Sequence, residues 1–406
     1  MAVGGCNTGD RIQPEGLSIR EIAERVAAEK KGFFAPNANG IYPAAGGLDS
    51  TSVTGYQNAW LRDNVMVAYS RLEAGDVEAA VACARGLMRF VESQAPRFAA
   101  VIARPSLKET VESRPHVRFE ANTLRELSGS WPQAQNDALG YVLWFRARLH
   151  NLGCCRLEAS EQEVIRLFIR YFEAIRYWED ADSGAWEEGR KVNSSSVGAV
   201  LAGLEEAKLA GADVAGSLIA AGRGLLARQL PLESPKLRGA DAAVLFLVYP
   251  LEVVRDSIAR DPIVRLMQAR LEGEIGFRRY IGDSYYCQDY DRWFPPRLRS
   301  IDWSERIEVR DEYLQPGCEA QWCLFDSLLS VIFGRFYGDR EQQARYLRRA
   351  IGQLTPANDC PELYFLKRGR WTPGPNTPLL WAEANLSLAL NEARRSPTPL
   401  HLPGES

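Results

Sequence analysis

The sequence predicts an all-α protein built as helical hairpins arranged in a ring. Three observations carry that prediction. Apolar residues recur three or four apart along most of the 406 residues, which is the period of an amphipathic helix. Strand-like alternation is scarce. Longer segments rich in aromatics, Gly and Pro fall on alternate helix connections, so each hairpin would carry a substantial loop on one side.

The helices follow in order. "LSIREIAERVAAEKKG" ends on a glycine, as helices commonly do. "DNVMVAYSRLEAGD" and "DVEAAVACARGLMRFVESQA" each start on an acid and are parted by "AGD". In "DNVMV", Asp63 has the ordinary reading of a helix N-cap. Next come "QNDALGYVLWFRARLHNLG", "SEQEVIRLFIRYFEAIRYW", "SSSVGAVLAGLEEAKLAG", "VAGSLIAAGRGLLARQL" and "AAVLFLVYPLEVV". The series closes with "PIVRLMQARLEGEIG", "GCEAQWCLFDSLLSVIFGRFYG", "REQQARYLRRAIGQL" and "TPLLWAEANLSLALNEARR". The loop segments are 33–60, 96–132, 177–195, 276–316 and 354–377. No strong internal linker and no repeat of the solenoid kind is visible, so residues 16–395 read as one domain between tails at 1–15 and 396–406.

Composition excludes several classes. The net charge of −3 supplies no basic footprint for nucleic acid or an anionic membrane. The N-terminal stretch lacks a secretory pattern, and no apolar run is long enough to span a bilayer. The eight cysteines form no CxxC pair, and His116, His150 and His401 stand far apart. A zinc site, a redox motif and histidine-based catalysis are therefore not expected. Scattered thiols fit a reduced, cytoplasmic protein. No glycine-rich phosphate cradle appears, and no cofactor is expected. Carboxylates remain as the catalytic candidates.

Tryptophan placement narrows the ligand. Trp60, Trp131, Trp186, Trp293, Trp303, Trp371 and Trp381 lie in or beside the loop segments, among carboxylates and arginines. Sugars present apolar C–H faces to aromatic rings, while their hydroxyls need polar partners, so this mixture suits a neutral polyhydroxylated ligand. In "SGAWEEGRKVNSSS", Glu187 and Glu188 follow a tryptophan in a loop. They are either a solvated pair or a pair containing an acid catalyst.

Five motifs, in order from residue 53 to 390, resemble glycoside hydrolase family 15 and its relatives, the α and β subunits of phosphorylase kinase. "YQNAWLRDNVMVAYS" is similar to the family's tryptophan-x-arginine-aspartate signature, which implies that Trp60, Arg62 and Asp63 hold a terminal glucose. "GSWPQAQNDALGYVLW" resembles the element whose tryptophan lines the sugar subsite, here Trp131. "SGAWEEGRKVNSSSVG" resembles the general-acid segment, which assigns the acid to Glu187, with Trp186 and Glu188 beside the sugar. "GFRRYIGDSYY" resembles an element supplying a sugar-contacting arginine, here Arg279 before Tyr280. "CPELYFLKRGRWTPGPNTPLLWAEANLSLAL" resembles the general-base segment and points to Glu362, with Glu319 and Glu383 as rivals. The resemblance implies an (α/α)6 toroid, in keeping with the count of helices. "GIYPAAGGL", "NSSSVG" and "PELYF" look closer to the kinase subunits than to fungal glucoamylases.

The implied chemistry is inversion at a glycosidic bond. One protonated carboxyl donates to the leaving oxygen, and an ionised one activates water on the opposite face from roughly 6.5–9.5 Å away. An acid role for Glu187 calls for desolvation by Trp186 and the pocket walls. Glu362 would orient the water, while Arg62 and Asp63 grip hydroxyls. Two functions follow. The first is an exo-acting hydrolase of α-linked glucans or gluco-oligosaccharides. The second is a sugar-binding, regulatory protein with a protein partner.

Overall fold

The computed structural model describes residues 35–46 and 54–395. The helix expected over 17–32 and both tails lie outside the described residues. Two kinds of helix alternate, and their burial explains the architecture. Helices α1 (Leu61–Glu73), α4 (Asn136–Asn151), α6 (Ser194–Leu209), α9 (Phe325–Ile332) and α11 (Leu380–Arg395) are buried on nearly every side. Helices α2 (Val77–Ser93), α5 (Ala159–Ile175), α7 (Gly216–Gln229), α8 (Ser257–Leu271) and α10 (Arg340–Ile351) bury one face and expose the other. A helix polar on one side can only be an outer one.

The buried set closes on itself. Helix α1 packs on α4, α4 on α6, and α6 on a 3-10 helix, Ala242–Leu247. Phe246 of that 3-10 helix contacts Phe325 and Trp381, the first turns of α9 and α11. Helix α9 packs on α11, and α11 returns to α1. Six inner segments thus form a ring, with the outer helices against its flanks: the (α/α)6 toroid.

The closest inner contact is α4 against α6. A Cβ on Gly140 would lie 2.6 Å from the backbone of Ala199 and Val200, and one on Gly203 would lie 2.9 Å from the Gly140 carbonyl. Facing glycines let these two backbones touch.

Several expected elements differ. "AAVLFLVYPLEVV" is only a 3-10 turn followed by irregular chain, because Pro250 has no N–H to continue a helix. The segment from 96 onward begins as a further helix, α3 (Ala95–Ala103), with a proline in its first turn. "GCEAQWCLF" is not helical: Gln321–Trp322 is strand β4 and α9 begins at Phe325. The Asp63 N-cap is also replaced. Trp60 occupies the cap, and Asp63 lies inside the first turn.

Two small antiparallel sheets sit on the loops. One is β1 (Ala59–Trp60), β2 (Arg118–Glu120) and β3 (Arg125–Glu126), with Trp60 opposite Arg118. The other is β4, β5 (Leu363–Lys367) and β6 (Arg370–Pro373), with Trp322 opposite Leu363. Both pin loop chain immediately before an inner helix.

Candidate active site

The loops at the N-terminal ends of the inner helices converge on one cavity. Its walls include Trp60, Arg62 and Asp63 from the start of α1, Trp131 and Pro132 before α4, and Trp186 and Glu187 before α6. Trp322 before α9, Glu362 before β5 and Trp381 at the start of α11 also line it. Helix N-termini carry positive dipole ends, which favour carboxylates placed there.

Glu187 is held by indoles. Its Oε1 accepts hydrogen bonds from Trp60 Nε1 (2.8 Å), Gln135 Nε2 (3.0 Å) and Trp131 Nε1 (3.2 Å). Oε2 accepts none among the described residues. The Arg118 guanidinium stacks on the same two tryptophans, 4.7 Å from Trp60 and 4.0 Å from Trp131. Glu187 adopts a left-handed backbone, with φ 58° and ψ 44°. For a residue with a Cβ that costs about 1–3 kcal/mol, which surrounding bonds must offset. The Asp182–Lys191 backbone pair closes the loop, and the serines after it start α6: Ser195 binds Glu233, and Ser196 binds Asp182.

Trp186 does not cover Glu187 as expected. Its indole N–H donates to Asp241 (2.8 Å), and its ring packs against Trp322 and Phe325. Trp60 and Trp131 flank the carboxyl instead.

Glu362 lies deeper, 2% exposed. Tyr56 Oη donates to Oε1 (2.8 Å) and Asn376 Nδ2 to Oε2 (2.7 Å). Burial pushes its carboxyl up to about 7, against the lowering effect of those two donors. Tyr56 stacks on Trp60 with ring centroids 5.2 Å apart. One aromatic pair therefore bridges the supports of the two carboxyls. The rivals point elsewhere. Glu319 accepts from Gly282 N–H and pairs with Arg278, and Glu383 accepts from Cys360 N–H.

Asp63 faces the cavity, and burial, with the Glu187 charge adding to it, raises it to about 7 despite Arg62. Arg62 is locked by Asp137 (2.6 Å) and Gln135 (3.2 Å) and sits 5.6 Å from the Trp381 ring. Arg62 is thus held in place before any ligand arrives.

Glu188 and Tyr280 are corrections to the expected sugar contacts: neither lines the cavity. Glu188 is buried among Arg279 (3.1 Å), Arg310 (3.0 Å) and Arg238 (2.9 Å), with the Tyr280 hydroxyl donating to it at 2.6 Å. Three guanidinium groups hold its carboxyl far below the usual range despite burial, which opposes them as the largest single influence. Arg279 does reach the cavity wall, 4.7 Å from the Trp322 ring.

Sequence reasoning missed Tyr56, Tyr285, Arg310 and Trp322, which also line the cavity. Their partners lie far off in the chain, with Tyr56 and Glu362 separated by 306 positions. The indole N–H groups of Trp322 and Trp381, both on the wall, have no partner among the described residues.

A helical toroid with carboxyls, indoles and arginines at one mouth defines a protein of the glycoside hydrolase fold. The chain belongs to the glycosyl hydrolases family 15, whose model matches residues 21–293. It is similar to the phosphorylase b kinase regulatory subunit alpha, liver isoform, of Takifugu rubripes, with 27% identity over 61% of this chain and 21% of the relative. A probable subunit of the same name in Caenorhabditis elegans is 24% identical over 80% of this chain and 30% of the relative. The chain spans less than a third of the curated relatives it matches. Among solved structures, a wild-type glycosidase superposes with a TM-score of 0.70 at 21% identity, covering 92% of this chain and 96% of that one. A glucoamylase from Saccharomycopsis fibuligera gives 0.59 at 12% identity, covering 94% and 97%. At these identities the likeness is one of fold. No helix of the described residues is long and apolar enough to cross a membrane.

Proposed function

We propose that this chain is an inverting, exo-acting glycoside hydrolase that releases glucose from the non-reducing ends of α-linked glucans or gluco-oligosaccharides. The observation that carries the reading is two carboxyls, Glu187 and Glu362, on one cavity and supported through one aromatic pair. Glu187 is the general acid and delivers its proton from Oε2 to the leaving oxygen, since three N–H donors occupy Oε1. Glu362 is the general base. Its carboxyl, raised to about 7, takes a proton from water near neutral pH, and Tyr56 and Asn376 stabilise its ionised form. Trp60, Trp131 and Trp186 offer apolar faces to the sugar, while Arg62, Asp63 and Arg279 serve its hydroxyls and the developing charge. The seven free thiols among the described residues fit a cytoplasmic setting.

Replacing Glu187 with Gln removes the proton donor while keeping its shape. Glucose release from maltooligosaccharides is expected to fall by about 10²–10⁴-fold with binding nearly intact. NMR of the wild-type reaction should show β-glucose first. The curated relatives are named regulatory subunits, which favours a second reading, a sugar-binding regulatory protein. Wild-type protein that binds acarbose yet releases no sugar from any α-glucan would decide for it.

A further inference from the structure

The two adjacent glutamates of the acid loop have opposite surroundings. Glu187 faces the cavity on a left-handed backbone, and Glu188 is sealed behind the wall. The Glu188 N–H donates to the Ser183 carbonyl (3.1 Å), and its carboxylate meets Arg238, Arg279, Arg310 and the Tyr280 hydroxyl. Asp241 and Asp283 are the other acids of this cluster: Asp241 pairs with Arg238 (3.3 Å) and Asp283 with Arg279 (2.7 Å). Three carboxylates therefore balance three guanidinium groups, and two of those groups, Arg279 and Arg310, also line the cavity.

We propose that Glu188 is a positioning residue and not a sugar contact: its arginine knot fixes the left-handed backbone of Glu187 and cancels positive charge that would otherwise face the acid. The proposal rests on Glu187 being the acid. Without the Glu188 charge, three guanidinium groups face two carboxylates directly behind Glu187. The ionised form of Glu187 then gains stability, and the acid is spent at lower pH. Removing one arginine has the opposite sign. The other groups around Glu187 are Arg62 and Asp63 of α1, Arg118 of β2, Tyr56, and the N–H groups of Trp60, Trp131 and Gln135. None of them is altered in either variant.

The test compares Glu188→Gln and Arg238→Gln with wild type, using the pH profile of glucose release and calorimetric binding of acarbose. Tryptophan fluorescence against pH adds a readout that needs no turnover, because Trp60 and Trp131 donate to the Glu187 carboxyl. A Glu187→Gln control should lose that titration. Glu188→Gln is expected to lower kcat by about 10- to 100-fold, with KM and acarbose affinity within about twofold of wild type. Its alkaline limb and fluorescence transition should move to lower pH, by roughly 0.5 unit for the loss of one screened unit charge behind the wall. Arg238→Gln should move both to higher pH. A raised KM with unmoved transitions in Glu188→Gln would make Glu188 a sugar contact and overturn the proposal. So would shifts of one sign in both variants. If Glu188→Gln does not fold, Arg238→Gln decides alone, since its guanidinium lies at the edge of the knot with 14% exposure, and an unmoved transition refutes the knot. If wild type releases no sugar, the hydrolase reading fails, while the fluorescence transitions still decide the positioning role.

Discussion

Glu362→Gln separates what the base contributes to chemistry from what it costs in stability. In the folded protein burial raises this carboxyl from 4.5 to about 7. A carboxyl raised on folding contributes stability that is complete below its unfolded value and is lost as pH climbs through the folded one. With those two values, the ionisable side chain costs about 0.8 kcal/mol at pH 5 and about 3.3 kcal/mol at pH 8 relative to a neutral isostere. Glutamine keeps the shape and can still accept from Asn376 and pair with the Tyr56 hydroxyl. The advantage of Glu362→Gln should therefore grow by about 2.5 kcal/mol between pH 5 and pH 8. For 406 residues the unfolding entropy is about 0.85 kcal/mol/K, so the melting advantage should grow by about 3 °C. Scanning calorimetry at the two pH values measures this, and glucose release should fall by about 10²-fold or more in the same samples. An advantage that stays constant or shrinks from pH 5 to pH 8 would refute the buried-carboxyl reasoning. A melting gain with undiminished glucose release would remove Glu362 from the role of base.

The fold offers two further perturbations. Asp180 accepts two hydrogen bonds from the Arg114 guanidinium (2.7 and 3.0 Å) and one from Asn136, tying the loop before β2 to the start of α4. Asp180→Asn should cost about 3–5 kcal/mol, read as a melting loss of about 4–6 °C, because Arg114 stays buried without its counter-charge. Gly140→Ala puts a methyl 2.6 Å from the α6 backbone and should cost about 1–3 kcal/mol by forcing the inner helices apart; an unchanged denaturation midpoint would show that the ring has slack there.

Ring and outer shell were legible because burial writes itself into helical periodicity. The 3-10 segment Ala242–Leu247 was not, since a fully buried apolar run looks the same whichever helix it forms. In the site, ordered motifs around Trp60, Trp131, Glu187, Arg279 and Glu362 name residues that do share one cavity. They say nothing about which neighbour a side chain meets. Trp186 turns to Asp241, and Glu188 turns inward to arginines drawn from residues 238, 279 and 310. Those partners come from two separate inter-helix connections, and one sequence holds no record of their convergence. Asp63 shows the local version of the problem: an acid in the first turn suits a cap or a cavity wall equally well.

The return of α11 to α1 has a consequence for how this protein is made. Tyr56 and Glu362, like Arg62 and Trp381, meet only when the two ends of the ring meet. During synthesis on the ribosome the acid loop, its indole donors and most of the arginine knot emerge early. The pocket stays an open groove until α11 leaves the exit tunnel. Until then Arg62 and Phe246 lack Trp381, and the nascent chain presents apolar surface that a chaperone would cover. Nonsense mutations within the last helix should therefore yield insoluble chains and not partly active ones.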